Sequence, residues 1–265
     1  KRVAVLVTGD PLWYSVGARL LKAIDASEIV FHPQLSAFQL AACRMGWSIP
    51  DVETLTVHGR AAEQIVPFFA PGSRLLVLTK DATSPGTIAA LLAERGYGAS
   101  TMTALAAMGG PDEAIMHGSA EHPPKGVPDF HTLAIECIAG PDAVIHPRTG
   151  LPDDAFAHDG KMTKRTARAL ALAKLAPHRG ALLWDVGAGC GSIGIEWMLR
   201  HPANRALGLE PRPERLARAA RNALALGVPG YRSPASFTEE LTRWEGVLRE
   251  RIPDDVTSLS PQMLR

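Results

Sequence analysis

Two carboxylates and a run of glycines carry the clearest chemistry in this chain. In "LLWDVGAGCGSIGIEWM", Asp185 stands two residues before Gly187, and Gly187, Gly189, Gly191 and Gly194 lie between an apolar run and a helical pattern. Positions without a side chain let a ligand approach the backbone, and the free N–H groups that open a helix favour an electron-rich group there. Glu210 follows at the end of the next apolar run, about 20 residues on, where an acidic side chain accepts hydrogen bonds from both hydroxyls of a ribose. A dinucleotide site and an S-adenosylmethionine site share that glutamate. Asp185 helps to separate them: a carboxylate beside a pyrophosphate is electrostatically unfavourable, whereas the methyl donor has no phosphate and carries an ammonium and a sulfonium. The spacing therefore favours the methyl donor, with Ala188 and Cys190 completing the loop from Gly187 to Gly191. The bland alternatives are a tight turn without a ligand and, for Glu210, a solvated strand-end acid. Cys190 reads as a small filler rather than a nucleophile, because no base lies near it in sequence.

A second cluster opens the chain. In "VTGDPLWYSVG", Gly9, Asp10 and Pro11 come directly after an apolar run, with Tyr14 and Ser15 at the start of a helical pattern. Taken alone, this is equally a turn before a capped helix. Two further loops fall at predicted strand ends: "HPQLSAFQ", with Ser36 as candidate N-cap, and "LTKDATSPGT", with Pro85 near a helix start. Three such loops at one edge of a sheet would form a crevice.

The elements that must position these residues follow from periodicity. The runs "RVAVLV", "EIVFHP", "ETLTVHG", "RLLVLT" and "HTLAIEC" read as strands; "SVGARLLKAI", "SAFQLAACRMG" and "PGTIAALLAERG" read as helices. That alternation predicts an α/β fold. The Pro/Gly/Asp-rich stretch "AGPDAVIHPRTGLPDDAFAHDG" has no period and marks a boundary near residues 140–151, giving a domain over residues 1–140, a linker over 141–160 and a second domain over 161–265. Ala167, Leu170, Ala171 and Leu175 form an apolar helical stripe closed by Pro177 and Gly180; "ALLWDV" and "RALGLE" read as strands flanking the helix "SIGIEWMLR". Pro213 sits near the first turn of the last clear helix of this unit, Leu216, Ala219, Ala220, Ala223 and Leu224 share one face of it, and Gly227 suits its C′ position. Beyond Gly230 a capping-box pattern of Ser236 and Glu239 precedes the stripe Leu241, Trp244, Leu248 and Ile252, and strand-like sequence is lacking.

Composition narrows the class. With 265 residues, 46% hydrophobic and 21% charged, the chain suits two globular domains. A formal charge of +1 gives no basic footprint, so no nucleic-acid partner is expected. No apolar run approaches the roughly 20 residues that span a bilayer, and Asp10 stands too early for a signal-peptide core, so no membrane partner is expected and the cytoplasm is the predicted location. Cys43, Cys137 and Cys190 lie far apart and read as free thiols, and the nine dispersed histidines give no metal-ligand spacing, so no metal is predicted.

The segments "GDPLWYS", "HPQLSAFQLAACRMGW", "VHGR", "LLVLTKDATSPGTIAALLAERGYG" and "GGPDE", in this order, resemble successive motifs of the tetrapyrrole (precorrin) methyltransferases of cobalamin synthesis. The stretch "GLPDDAFAHDGKMTKRTARALALAKLAPHRGALLWDVGAGCGSIGIEWM" is similar to the Rossmann-like class I methyltransferase domain fused behind that domain in one branch of the family. The resemblance runs from about Val3 to Gly230. It implies two S-adenosylmethionine sites, methylation at C5 of the tetrapyrrole by the first domain, and methylation at C15 with loss of the C12 acetate carboxyl in the second. It further implies donor contacts from Gly9, Asp10, Pro11, Leu12 and Tyr14, from Ser36 and Ala37, and from Thr163, the loop Gly187 to Gly191 and Glu210. Thr163 also reads as a helix N-cap. Arg60, Lys161 and Lys164 are candidate partners for the tetrapyrrole carboxylates, with solvated surface charge as the alternative.

The family pattern begins with a further strand and a G-x-G-P-G loop, and its Rossmann-like domain continues past Gly230 with more strands. Both ends are therefore expected to be incomplete, and an unbound sheet edge is expected in the second domain. A non-catalytic or partly active chain that binds S-adenosylmethionine or a partner subunit, and a class I methyltransferase with another small-molecule acceptor, are the competing readings. A homo-oligomer is expected, with the stripe Leu241, Trp244 and Leu248 serving equally as core or interface.

Overall fold

The fold is described from a computed structural model, which covers residues 3–145 and 147–232 and divides into two compact units between Pro147 and Arg148. In chain order the first unit contains helix α1 (Gly17–Leu20), helix α2 (Ala37–Met45), strands β1 (Glu53–Thr56) and β2 (Arg74–Leu78), helix α3 (Ser84–Ala93), and strands β3 (Thr101–Ala106), β4 (Ala114–Ser119) and β5 (His131–Glu136). The strands form one sheet in the order β1-β2-β5-β3-β4; β1 and β2 are parallel and the other pairs antiparallel.

Successive strand side chains face opposite ways, and this sheet is covered on both faces. Leu75, Val77, Met102, Ala104, Leu133 and Ile135 enter one cluster with Ile88, Ala89 and Leu92 of α3. Leu76, Leu105 and Ala134 enter the other, against Phe38, Ala41 and Ala42 of α2. Helix α2 begins where Ser36 and Gln39 cap each other: the Ser36 hydroxyl accepts from the Gln39 N–H, and the Gln39 side-chain oxygen accepts from the Ser36 N–H. It ends at Gly46, whose positive φ of 65° supplies the left-handed turn.

Two of the five strands predicted in this half do not form. Residues 3–7 and 29–33 have no strand pairing, and Val3 and Leu6 are 84% and 95% exposed. A strand exists only where a neighbour takes its N–H and C=O groups, and none of the described residues does so here. The helix predicted over "SVGARLLKAI" shrinks to the four residues of α1. Conversely, β3 and β4 were not anticipated, because "TMTALA" and "AIMHGS" lack clean alternation.

The second unit contains helix α4 (Arg165–Leu175), strand β6 (Leu182–Val186), helix α5 (Ser192–Leu199), strand β7 (Arg205–Leu209) and helix α6 (Pro213–Ala225). Strands β6 and β7 are parallel, with Asp185 opposite Gly208, and Arg232 forms a single parallel bridge to Leu207 on the other side of β7. This is the β-loop-α-β-α order expected from the sequence, extended by one bridging residue. Gly227 has φ 78° directly after α6, as its C′ assignment requires. The pattern from Ser236 to Ile252 lies outside the described residues.

Two helix faces differ from expectation. In α4 the buried residues are Arg168 and Leu172, whereas Leu170 is 60% exposed and Leu175 is also exposed. In α6 the buried residues are Ala219, Asn222 and Ala223, with Ala220 and Leu224 exposed. The reason is polar: Arg168 and Asn222 turn inward because they hold the segment 150–163. The second part of the predicted linker is accordingly no free connection, since Leu151 and Phe156 are buried in the core of this unit with Ile195, Trp197 and Met198.

Candidate functional site

The glycine loop follows β6. Gly187, Gly189 and Gly191 have φ of 80°, 57° and 81°, a region that side-chain-bearing residues avoid, so the turn itself demands glycine. The Gly187 and Ala188 N–H groups donate to the Leu209 carbonyl at 2.8 and 3.1 Å, and Gly191 N–H donates to the Ala188 carbonyl at 2.8 Å. Ala188 and Cys190 are buried, so Cys190 is filler here and not an exposed thiol.

The glycines do two different jobs. A Cβ on Gly187 would meet nothing within 4 Å, and on Gly189 only the Gly187 carbonyl at 3.9 Å, so this part of the loop faces open space. A Cβ on Gly191 would lie 3.0 Å from the Ala219 methyl and 3.4 Å from the Tyr231 ring, and one on Gly194 would lie 2.7 Å from that ring. Gly208 of β7 is equally constrained, with the Tyr231 hydroxyl 2.1 Å from its Cβ position. The first two glycines border open space; Gly191, Gly194 and Gly208 make room for Tyr231. Spacing alone could not separate these roles.

Glu210 reaches back across the loop. Its Oε2 accepts from Gly189 N–H at 2.9 Å and its Oε1 from Arg212 N–H at 3.1 Å. A carboxylate offers about four lone-pair sites, so acceptor capacity remains for two vicinal hydroxyls. Asp185 is half-buried, accepts from Gly194 N–H in the first turn of α5 at 3.1 Å, and has its carboxyl pushed above the ordinary range by burial, partly offset by that hydrogen bond. It thus braces the helix start as well as placing negative charge beside the loop. The loop thus combines open backbone at Gly187 and Gly189 with two carboxylates, Asp185 and Glu210, held by backbone N–H groups.

Thr163 is exposed and does not cap α4; Lys164 occupies that position without a side-chain hydrogen bond, and the Thr163 carbonyl instead accepts from Arg168 Nη1 at 2.7 Å. Lys161 and Lys164 are exposed, and Lys164 Nζ lies 3.8 Å from Asp153. Arg168 was not singled out from the sequence. It is fully buried, donates from Nε to Glu196 at 2.5 Å and from Nη1 to Asp153 at 3.0 Å, and also donates to the Leu151 carbonyl. Glu196, buried as well, accepts from the Gly150 and Leu151 N–H groups at 2.6 and 3.1 Å. An arginine and a glutamate on helix faces otherwise apolar were the available signal.

In the first unit, the Cβ position of Gly9 lies 3.5 Å from Ser36 Cα and 4.0 Å from Ala37 N, so two of the predicted donor loops meet. Asp10 accepts from Leu12 N–H at 2.8 Å and Trp13 N–H at 3.2 Å, an Asx-type turn that its own backbone completes. Pro11 is buried, and its carbonyl accepts from Gly17 N–H at 3.0 Å. Tyr14, at φ 53°, donates to the Thr54 carbonyl at 3.0 Å, and Arg60 lies 5.9 Å from its ring centroid. Burial raises the Tyr14 phenol, with the Arg60 charge opposing. Leu12 and Arg60 are exposed. The third loop is bound to its own elements: Ser84 accepts from the Lys80 and Asp81 N–H groups, and Ala82 N–H donates to Asp129. Arg44 of α2 pairs bidentately with Glu113, which also accepts from Gly109 N–H at 2.7 Å and is held near a pKa of about 2 by Arg44 and that N–H.

A parallel β-loop-α-β unit with an acid closing its glycine turn defines a Rossmann-like domain, which follows the mixed α/β unit in the chain. Residues 1–124 match the family described as tetrapyrrole (corrin/porphyrin) methylases, and residues 154–244 match the family described as precorrin methyltransferase domain. The chain belongs to the precorrin methyltransferases. It is 45% identical over 230 residues to a precorrin-6Y C(5,15)-methyltransferase [decarboxylating] of Sinorhizobium sp, and 37% identical over 229 residues to the enzyme of that name from Mycobacterium tuberculosis. The matches cover 86% and 84% of this chain and 56% of each relative, so the chain spans about half the length of these relatives. It is also similar to the C-terminal domain of precorrin-6Y C5,15-methyltransferase from Rhodobacter capsulatus, at 35% identity over 40% of this chain and 67% of that one, with a TM-score of 0.34.

Proposed function

We propose that the chain acts in the S-adenosylmethionine-dependent methylation of precorrin-6Y at C5 and C15, with decarboxylation of the C12 acetate arm, to give precorrin-8X. The observation that carries this reading is the pairing of Glu210 with Gly189 N–H beside the open faces of Gly187 and Gly189. Similarity to the two named relatives supports a precorrin acceptor.

When bound, the donor supplies an electrophilic methyl group. Transfer to a ring carbon needs in-line placement and exclusion of water more than a protein nucleophile. Glu210 would orient the ribose, and Asp185 would place negative charge near the cationic end. Gly187 to Gly191 would let the nucleoside lie against backbone, and Thr163 would close the same site. In the first unit Gly9 to Tyr14 with Ser36 and Ala37 would form the other donor site, with the Asp10 carboxylate shaping the turn. Arg60, Lys161 and Lys164 would meet the substrate's carboxylates. A cytoplasmic homo-oligomer is the setting we propose, supported by the exposed apolar face of Leu170 and Leu175 on α4; light scattering checks the oligomer.

Calorimetric titration with S-adenosylmethionine tests the donor reading. Glu210→Ala should weaken binding at the second-unit site about tenfold to a hundredfold, the worth of hydrogen bonds to a charged group. Absence of binding to the unaltered chain refutes the reading. Incubation with precorrin-6Y, followed by mass spectrometry, should show two methyl gains and loss of carbon dioxide; binding without mass change would identify a non-catalytic donor-binding chain.

A further inference from the structure

Asn222 occupies a position that no glycine motif explains. It is buried on α6, and both polar atoms of its side chain are hydrogen-bonded. Its Oδ1 accepts from Ala157 N–H at 2.9 Å, and its Nδ2 donates to the Ala157 carbonyl at 3.0 Å and to the Cys190 carbonyl at 2.9 Å. The amide orientation is fixed, because a flipped amide would set its oxygen against two carbonyls. One side chain thus joins the backbone of the segment 150–163 to the backbone of the glycine loop.

That segment is fastened at two other points. Arg168 and Glu196 hold Gly150, Leu151 and Thr163, and Asp159 accepts from Arg215 at 2.8 Å, with Arg218 at 3.6 Å. Phe156 packs into the core, with the Arg168 guanidinium 4.9 Å from its ring centroid. The segment is therefore a strap with anchored ends, and Asn222 is the point at which its middle is tied to the loop.

We propose that Asn222 is a positioning residue that makes the strap and the glycine loop one preorganised wall of the donor site. The claim rests on the reading of that loop as a donor site, but the mechanical coupling is measurable without any ligand. Cys190 is buried and directly follows Gly189 in the loop, so the bond to its carbonyl fixes the turn that presents Gly189 to Glu210. Loss of the tie releases loop and strap together.

Hydrogen exchange on the full chain, unaltered and as Asn222→Ala, tests this. Exchange at Gly187, Ala188, Gly189 and Gly191 should rise about fivefold to tenfold, as well as at Ala157, with amides of β6 and β7 unchanged. Release of Ala157 alone overturns the proposal. If Asn222→Ala also loses protection in β6 and β7, then Asp159→Asn decides, because it loosens the strap from an ion pair at the surface. Faster exchange in strap and loop supports the coupling; a faster strap with an unchanged loop overturns it. Calorimetry with S-adenosylmethionine separates the two claims. Absence of binding to the unaltered chain defeats the donor reading alone; unaltered affinity in the folded variants defeats the positioning role alone.

Discussion

The two candidate donor loops are built on opposite plans. The Gly9 to Tyr14 turn is closed locally, by Asp10 on the N–H groups of Leu12 and Trp13, with Tyr14 alone hydrogen-bonding outward to the Thr54 carbonyl, and the residues leading into it, 3–7, pair with no described strand. The Gly187 to Gly191 turn is held from outside, by Leu209 and Glu210 on the next strand, by Asp185 beneath α5 and by Asn222 on α6. A turn closed mostly by its own residues leans on few side chains, here Asp10 and Tyr14. A turn braced by distant elements shares the load among several and inherits their stability.

The largest effect that would break this contrast is expected outside the loop residues themselves. Arg168→Met leaves Glu196 buried without its cation, which should destabilise the second unit by about 3–5 kcal/mol and leave the first unit unaltered. Urea denaturation followed by region-resolved hydrogen exchange would show which unit moves; loss of protection in both would contradict independent support. Next, Asp10→Ala should cost the first unit about 1 kcal/mol, as loss of a cap does, whereas Asp10→Asn keeps the acceptor and should restore most of it. Equal losses would mean that charge, not turn geometry, matters at Asp10.

Asp185→Asn should act with the opposite sign. Its carboxyl has a raised pKa in the folded state, so the native form binds its proton more readily and stability rises as pH falls from the raised value toward 3.8. Substitution by Asn should remove that dependence, raise thermal stability slightly at neutral pH and still accept from Gly194, while weakening affinity for the cationic donor. A fall in neutral-pH stability would show that the carboxylate charge itself braces α5. The smallest effect belongs to Glu113, whose pKa is lowered from 4.5 to about 2. Its pairing contributes above pH 4.5 and is lost as pH falls through about 2, so Glu113→Gln should flatten the acid limb of the first unit's melting curve. An unchanged limb would mean that the Arg44 contact gives no net stabilisation.

Much of the second site was legible because it is local. Asp185, the glycines and Glu210 lie on consecutive elements of one β-loop-α-β unit, where chain direction and strand register set their approach. The Ser36 cap and the Gly227 turn were legible for the same reason. Arg168, Glu196 and Asn222 were not, since all the hydrogen-bond partners of their side chains but the Thr163 carbonyl lie 15 to 65 residues away in sequence. The apolar stripe on α4 misled because two polar groups that find full partnership can outcompete exposed leucines for the buried face.

By itself the sequence determined the Ser36 cap of α2, the Gly227 turn after α6 and that an acid stands about 20 residues beyond a glycine loop, because these depend on backbone geometry over a few neighbouring residues. Only the tertiary structure decided which glycines face open space and which face Tyr231, which side of α4 and α6 is buried, and that residues 150–163 belong to the second unit. Those outcomes depend on satisfying buried polar groups between segments far apart in the chain, a condition that no local pattern encodes.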